Sequence, residues 1–360
     1  MKRIIFLALP PYLKSGSDVI GPATISQLLR NKVDARIHYL GSESWAKRLR
    51  PLDNRLGHLI YKYIVNPLSI RRALGNIRKD DIFWMYSVSA YASLASSYLE
   101  EAAIRRGAKF VFHLHDDWLS VPGYRDAALK RFQLADLIGA VTGAITESVH
   151  LVDPNLNVCL LRAPIDTKRL KPLTSPEGGT TPRVIWTGNP GNLKEIPGAT
   201  DILARVYAKT SFDFQIISGS VKPRLDLPIP WSWLPYDADL EAERISGACA
   251  GLAPLEDTPY ARCKDVFKVK TYMACGVPPI ATAIGNNLEV IRNGETGFLV
   301  QTQEEWKARL TDLISNPAKA AAMGQAARKD CVQRFSHEAI IPEWIEALER
   351  RFGRVRGGSS

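Results

Sequence analysis

Short apolar runs alternate with stretches of helical periodicity along the first half of the chain. The runs lie at 3–8, 35–40, 82–86, 109–114, 137–141 and 158–161, and helical stretches between them include 92–106 and 125–134. Each run is continuously apolar instead of alternating with polar residues. This pattern predicts the strands of a parallel sheet that is covered by helices on both faces.

The same alternation restarts in the second half, after 174–182, a segment dense in turn formers that predicts a linker. The predicted strands are 184–187, 214–218, 251–254 and 279–283, and the predicted helices are 199–208, 268–274, 303–315 and 317–335. We therefore expect an α/β protein with two Rossmann-like, doubly wound parallel sheets facing a cleft. Ligands of such sheets bind beyond the carboxyl ends of the strands.

The boundaries follow from this alternation. The first domain is predicted at 1–173 and the second at 183–336. A helix over 337–353 is expected to pack back on the first domain, and 354–360 reads as a flexible tail.

Composition excludes several classes of protein. The chain is 46% hydrophobic and 23% charged, which is typical of globular proteins. Its five cysteines are widely spaced and odd in number, which disfavours a disulfide scaffold or a zinc site and indicates a reduced, cytosolic setting. The first apolar run is too short for a signal peptide, and no run reaches the roughly 18 apolar residues of a membrane-spanning helix.

The net charge of +10 is unevenly distributed. Residues 173–360 carry equal numbers of acidic and basic side chains, so the whole excess lies before them. Between 45 and 79, basic residues mix with aromatics and leucines, and the candidate membrane or acceptor patch is Arg48, Arg50, Arg71 and Arg72. Such a segment can bind an anionic membrane surface; the alternative is a helix pair with a solvated basic face. No nucleic-acid-binding module accompanies it, so nucleic acid is not an expected partner.

The most informative segments are KDVFKVKTYMACGVPPIAT at 264–282 and GNNLEVIRNGETGFLV at 285–300. They predict a helix ended by a left-handed Gly276, then a strand, a loop, a short helix and a Gly-rich hairpin. Lys268 lies at the start of the first helix, where backbone N–H groups favour anions.

These segments resemble the donor-binding region of retaining GT-B glycosyltransferases of the family-4 type. The resemblance implies the GT-B fold and transfer of a sugar, with retention, from a nucleotide-sugar to a hydroxyl acceptor. A glycan or lipid-linked acceptor is expected, with the protein in the cytoplasm or peripheral on the inner face of the membrane. No metal or other cofactor is implied, because lysines can offset the negative charge of the diphosphate.

The resemblance also assigns roles on the donor side. Lys264 and Lys268 match lysines that meet donor phosphates, and Lys194 matches a basic residue that offsets diphosphate charge. Gly188 would let the backbone approach the ligand. The remaining donor-side candidates are Gly16, Asn189, Arg262, Thr271 and Glu289.

Four acidic or histidine side chains are the catalytic candidates. His115, Asp116 and Asp117 follow the strand predicted at 109–114, and they resemble a histidine-bearing loop near the transferring sugar. His115 would orient the donor sugar or the acceptor hydroxyl, and either aspartate would hold the acceptor. Asp257 matches an acidic loop near the donor sugar, and no protein nucleophile is evident.

Three positions depart from the family pattern. The Glu-x7-Glu pair is replaced by Cys263 and Thr271, and an arginine of the first turn by Asn189. Thr271 retains one hydroxyl but cannot accept the charge-assisted bonds of a carboxylate. Two alternatives therefore stay open: a non-catalytic GT-B protein that binds a nucleotide or glycan or activates a partner enzyme, and a sugar-nucleotide epimerase.

Overall fold

The computed structural model describes residues 2–8, 29, 33–39, 71, 74–86, 97–173, 181–196 and 200–355. They belong to two compact units: Met1–Ala163 together with Ile341–Ser360, and Pro164–Ile340. The division falls ahead of the linker predicted at 174–182, most of which lies outside the described residues. Each unit is built around one sheet.

The first unit contains a six-stranded sheet in the order β2-β1-β3-β4-β5-β6. All its pairings are parallel. Its strands are β1 (Ile4–Ala8), β2 (Ala35–Tyr39), β3 (Ile82–Tyr86), β4 (Lys109–Leu114), β5 (Leu137–Ala140) and β6 (Val158–Leu160). The helices described between them are α1 (Tyr98–Arg105), α2 (Arg125–Leu134) and α3 (Gly143–Val152).

The second unit repeats this plan with the order β12-β11-β10-β7-β8-β9, again parallel throughout. Its strands are β7 (Arg183–Thr187), β8 (Asp213–Ile217), β9 (Trp231–Leu234), β10 (Ala250–Ala253), β11 (Pro279–Thr282) and β12 (Phe298–Val300). Its short helices are a 3-10 helix (Pro190–Glu195), α4 (Thr200–Tyr207), α5 (Glu241–Ile245), α6 (Pro259–Cys263), α7 (Phe267–Ala274) and α8 (Asn287–Val290). The long helices are α9 (Gln303–Ser315) and α10 (Pro317–Phe335), and α11 (His337–Phe352) continues past Ile340 into residues grouped with the first unit.

The second sheet is buried on both faces, as its continuous apolar strands predict. Along β7, Val184 and Trp186 point into one core with α4 and α9, whereas Ile185 points into the other with α7 and α10. All three residues are fully buried. The two parallel sheets confirm the predicted α/β class.

The Gly-rich hairpin predicted near 291–300 was wrong. Residues 291–297 form a turn in which the Gly294 N–H donates to the Gly297 carbonyl. The chain then enters β12, which pairs with β11 in parallel. A parallel partner is accessible because the connection 283–297, which contains α8, is long enough to return the chain to the starting end of the sheet.

Candidate functional site

Helix α7 is fixed to the sheet by Tyr272. The Tyr272 hydroxyl accepts a hydrogen bond from the Thr187 N–H at 2.9 Å and donates to the Leu252 carbonyl at 3.1 Å. Its ring lies over Gly251, where an added Cβ would come within 2.5 Å of the ring. Since Thr187 is the last residue of β7, this anchor places the first turn of α7 beside the carboxyl end of that strand.

The end of α7 follows the predicted cap. Gly276 has φ +72°, and its N–H donates to the Met273 carbonyl while that of Val277 donates to Tyr272. An L side chain at this φ would be strained, so the sequence requires glycine here. The predicted left-handed cap is confirmed.

Lys268 lies one helical turn before Tyr272 and is largely buried. Its Nζ is 4.2 Å from the centroid of the Trp186 ring, a cation–π distance. The next lysine of α7, Lys270, pairs instead with Asp265 at 2.6 Å. The two lysines of this helix therefore serve separate contacts.

A carboxylate joins Lys268 to a second lysine. Glu195, the last residue of the 3-10 helix, accepts from Lys264 Nζ through Oε1 at 3.1 Å and from Lys268 Nζ through Oε2 at 2.9 Å. The Glu195 side chain is 7% exposed, against 21% for Lys264 and 16% for Lys268. We call these three side chains the lysine–glutamate cluster. It brings together two of the predicted donor-side residues.

Burial sets the chemistry of this cluster. It lowers the pKa of Lys268 to about 8, with Glu195 opposing the shift and Lys264 adding to it. Desolvation penalises the ammonium form, and the carboxylate restores part of its stability. The cluster thus sets two basic side chains against one acidic side chain, an arrangement that favours a further anion.

Gly188 follows β7 and packs against Trp186. An added Cβ would lie 2.8 Å from the indole ring, and the Gly188 carbonyl accepts from the Ser218 hydroxyl at 2.8 Å. Glycine is therefore needed at position 188, because the chain passes close to the Trp186 ring that contacts Lys268. This packing reason is independent of any ligand.

The other donor-side candidates do not join the cluster. Lys194 and Asn189 are exposed on the turn around the 3-10 helix, and Glu289 is exposed on α8. Arg262 forms a bidentate pair with Asp257 at 2.6 and 2.8 Å, with both side chains about half exposed.

Thr271 is enclosed within α7. Its exposure is 1%, and Cys263, the other position at which a family carboxylate is replaced, is 5% exposed. The single hydroxyl of Thr271 is consequently buried in the second unit instead of being presented at its surface.

Comparisons with known proteins bear on the fold and on the second unit. The family model described as "Glycosyl transferases group 1" matches residues 271–330, which begin within α7. The D-inositol 3-phosphate glycosyltransferase of Rhodococcus jostii is 40% identical over 76 residues, 21% of this chain and 17% of that protein. The alpha-maltose-1-phosphate synthase of Mycolicibacterium smegmatis is 33% identical over 86 residues, 22% of each chain.

The solved structure of Anabaena HepE in complex with UDP and glucose has a TM-score of 0.69 at 16% identity. It covers 97% of this chain and 100% of that one. The fold is GT-B, and the segment that is similar to glycosyl transferases group 1 lies in its second unit. The structural match and the family match confirm the predicted fold and the predicted resemblance. The segment aligned with the two curated relatives spans 17–22% of their own length.

In the first unit of this GT-B fold, His115 follows β4. Its ring is 4.7 Å from that of His113, which is fully buried and lies 5.1 Å from Trp344 of α11. His113 Nε2 is 2.9 Å from the Leu161 carbonyl, and burial lowers its pKa to about 3. His113 is therefore neutral at physiological pH and serves as a packing support beneath His115.

The two aspartates after His115 differ in their surroundings. Asp117 is 4% exposed, and its carboxylate accepts from the Leu119 N–H and the Ser120 hydroxyl, which closes the turn after β4. Asp116 is half-buried beside it. Asp117 thus has a structural task, and Asp116 is the more accessible carboxylate of the pair.

Several predicted residues lie outside the part of the chain that the structure describes. They are Gly16, Arg48, Arg50 and Arg72. Arg71, the one member of the basic patch within the described ranges, is exposed.

Two features are absent from the described residues. No group of His, Cys, Asp and Glu side chains there has the arrangement of a metal site. No helix among them combines the length and apolar character needed to cross a bilayer.

Sequence reasoning missed Glu195 and Trp186. Glu195 directly follows Lys194, so the pattern at this turn reads as surface charge, and its partners lie 69 and 73 residues further along the chain. Trp186 reads as an ordinary core residue of a strand. The signal available in the sequence for Glu195 was its position directly after Lys194, the one basic residue of the turn that follows β7.

Proposed function

We propose that this protein transfers a sugar from a nucleotide-sugar to a hydroxyl acceptor with retention of anomeric configuration. The observation that carries the proposal is the pair of largely buried lysines, Lys264 and Lys268, beside the carboxyl end of β7. Buried ammonium groups at this edge of a parallel sheet suit the phosphates of a nucleotide. The group 1 match and the UDP held by Anabaena HepE support the same ligand class.

The reaction would break the bond between the anomeric carbon and the diphosphate oxygen and form a bond from that carbon to the acceptor oxygen. The acceptor hydroxyl passes its proton to the departing nucleoside diphosphate, which leaves with the bonding electron pair. Lys268, Lys264 and the N–H groups at the start of α7 would stabilise the charge on the leaving group. Lys194, exposed at the adjacent turn, would add to them when the donor is bound.

The remaining candidates receive subsidiary roles. We propose that His115 orients the donor sugar or the acceptor hydroxyl and that Asp116 holds the acceptor. Asp257 would contact the donor sugar only after leaving Arg262, because their bidentate pair occupies both carboxylate oxygens. The lysines stabilise the negative charge of the diphosphate, so the proposal includes no metal.

The acceptor is proposed to be a lipid-linked or envelope glycan at the inner face of a membrane. The basic segment between 45 and 79 supports this, since each basic residue near anionic lipid contributes about 1 kcal/mol. Liposome flotation with anionic lipid tests it, with a variant neutralising Arg48, Arg50, Arg71 and Arg72. We expect the variant to float less than the wild type; equal flotation would remove the patch from the proposal.

Purified protein incubated with a panel of nucleotide-sugars and lipid-linked acceptors tests the transfer itself. We expect release of a nucleoside diphosphate with one donor, together with a product of retained configuration. Absence of turnover with every donor would contradict the transfer.

A non-catalytic nucleotide-binding role is the second candidate. The burial of Thr271 and Cys263, at the positions of the missing carboxylates, favours it. Calorimetry with UDP, GDP and related nucleotides separates the two. Binding without turnover would establish this second function, and binding with turnover would establish the first.

A further inference from the structure

The lysine–glutamate cluster already contains an anion. The two oxygens of the Glu195 carboxylate divide between two ammonium groups, one at 3.1 Å and the other at 2.9 Å. The carboxylate is the least exposed member of the cluster, so it is held between the lysines and is not a solvated neighbour. Any ligand phosphate that pairs with Lys264 and Lys268 must take the place of these contacts.

This replacement is an exchange of anions. Removing Glu195 without a substitute would leave Lys268 largely buried without its carboxylate partner, and unpaired buried charges are strongly unfavourable. The incoming group must therefore offer acceptors to both ammonium groups at once. Two linked phosphoryl groups can meet two separate ammonium groups, as the two carboxylate oxygens do, and they bring more negative charge than Glu195 gives up.

A single phosphoryl group gains less from the same exchange. Its charge only modestly exceeds that of the carboxylate it displaces, so the Coulomb gain over the resident ion pairs is small. The cluster should thus discriminate by charge and by the number of phosphoryl groups. Trp186 strengthens the requirement, because it covers one side of Lys268 and keeps the ammonium out of bulk water.

We propose that Glu195 is a specificity-determining residue: a resident anion that a ligand must displace from Lys264 and Lys268, so that a ligand binds tightly only when its phosphoryl groups replace both ion pairs. The physiological identity of the diphosphate, that of a nucleotide-sugar, rests on the proposed function. The displacement itself concerns only the cluster. It is therefore testable with ligands that carry neither base nor sugar.

The test measures binding of inorganic pyrophosphate and orthophosphate by calorimetry to the wild type and to Glu195→Gln. Glutamine keeps the shape of glutamate but removes its charge. Its contacts with the two lysines are therefore weaker, and an incoming anion replaces them more easily. We expect Glu195→Gln to bind pyrophosphate at least about tenfold more tightly, the scale of a charge-assisted contact. Orthophosphate should gain by no larger a factor, because the cost of displacing Glu195 does not depend on which anion replaces it.

Two further variants control the result. Glu304→Gln makes the same change of charge at an exposed glutamate of α9 that pairs with Arg205 and Lys307, and it should bind both anions as the wild type does. Glu195→Gln combined with Lys264→Met leaves one ammonium group and should lose the tighter binding. Thermal unfolding of each variant verifies that it is folded.

Unchanged or weaker pyrophosphate binding by Glu195→Gln would overturn the proposal, as would absence of binding to both proteins. A wild-type preference for orthophosphate over pyrophosphate would overturn the selectivity. None of these measurements uses a sugar donor or turnover. Failure of the proposed transfer is thus seen in the nucleotide-sugar panel, and failure of the displacement is seen here.

Discussion

Glu195 Oε2 lies 2.9 Å from the Nζ of Lys268, although the two residues are 73 positions apart. The glutamate ends a 3-10 helix that follows β7, and the lysine lies in the first turn of α7. Tyr272 brings them together, because its hydroxyl ties α7 to the last residue of β7.

The protonation of Lys268 should make anion binding depend on pH. Burial lowers the pKa of Lys268 to about 8, so the ammonium is lost as pH rises through that value. We expect pyrophosphate to bind more weakly at about pH 9 than at about pH 7. Calorimetry at the two pH values measures this, and equal affinities would contradict it.

Stability should change with pH in the opposite direction. The folded pKa of Lys268 lies below the ordinary value of 10.5, so between about 8 and 10.5 the unfolded chain binds more protons than the folded one. The contribution of Lys268 to the free energy of unfolding therefore rises with pH across this window. Chemical unfolding of the wild type and Lys268→Met measures it. The free energy of unfolding of the wild type, relative to that of Lys268→Met, should increase as pH rises. A decrease would be inconsistent with the lowered pKa of Lys268.

Replacing Gly188 with alanine should destabilise the second unit. Its Cβ would meet the Trp186 ring at 2.8 Å, and relieving that overlap costs about 1–3 kcal/mol of unfolding free energy. Gly191→Ala is the matched control, since an added Cβ there has no atom within 4 Å in the structure. Urea unfolding of both variants gives the comparison. Similar losses for the two would show that the ring does not constrain position 188.

Tyr272→Phe should weaken the attachment of α7. The change leaves the Thr187 N–H and the Leu252 carbonyl buried without their partner, at about 2–3 kcal/mol. Tyr207→Phe, which keeps a ring packed on Phe212 at 5.5 Å, is a comparison within the same unit and should lose less. Urea unfolding measures both. Equal stability of Tyr272→Phe and the wild type would mean that the hydroxyl does not hold the helix.

The first unit contains a buried ion pair that should be sensitive to loss of one partner. Arg131 Nε donates to Glu100 Oε1 at 2.6 Å, and both side chains are at most 1% exposed. Arg131→Met leaves the carboxylate buried without its cation and should cost about 3–5 kcal/mol. Arg125→Met, at an exposed position of the same helix, should cost little. A loss for Arg131→Met no larger than that for Arg125→Met in urea unfolding would contradict this.

The sheets were predictable because buried parallel strands are continuous apolar runs. The strand ending at Tyr86 and the strand 109–114 were predicted with the bounds that the structure has. By contrast, β9 was missed, because Trp231–Leu234 is a half-exposed edge strand with a serine in its middle. At an edge only one side is paired, so the apolar pattern weakens.

The site was predictable only in part, for a different reason. Lys264 and Lys268 stand within a long motif that marks them, whereas Glu195 is defined by contacts with residues far away in the sequence. Likewise, the sequence motif predicted Thr271 as a donor-side residue, although Thr271 is only 1% exposed in the structure. Which face of α7 is covered depends on the packing of β7, β10 and α10, and no local pattern shows it.

The central claim is that Lys268 stabilises the departing diphosphate during sugar transfer. Turnover with the donor found in the nucleotide-sugar panel, compared between the wild type and Lys268→Met, tests it most directly. Lys329→Met, an exposed lysine on α10, is the matched control and should keep wild-type turnover. We predict that Lys268→Met lowers kcat by about 100- to 1,000-fold while remaining folded. A folded Lys268→Met protein with wild-type kcat would contradict the account.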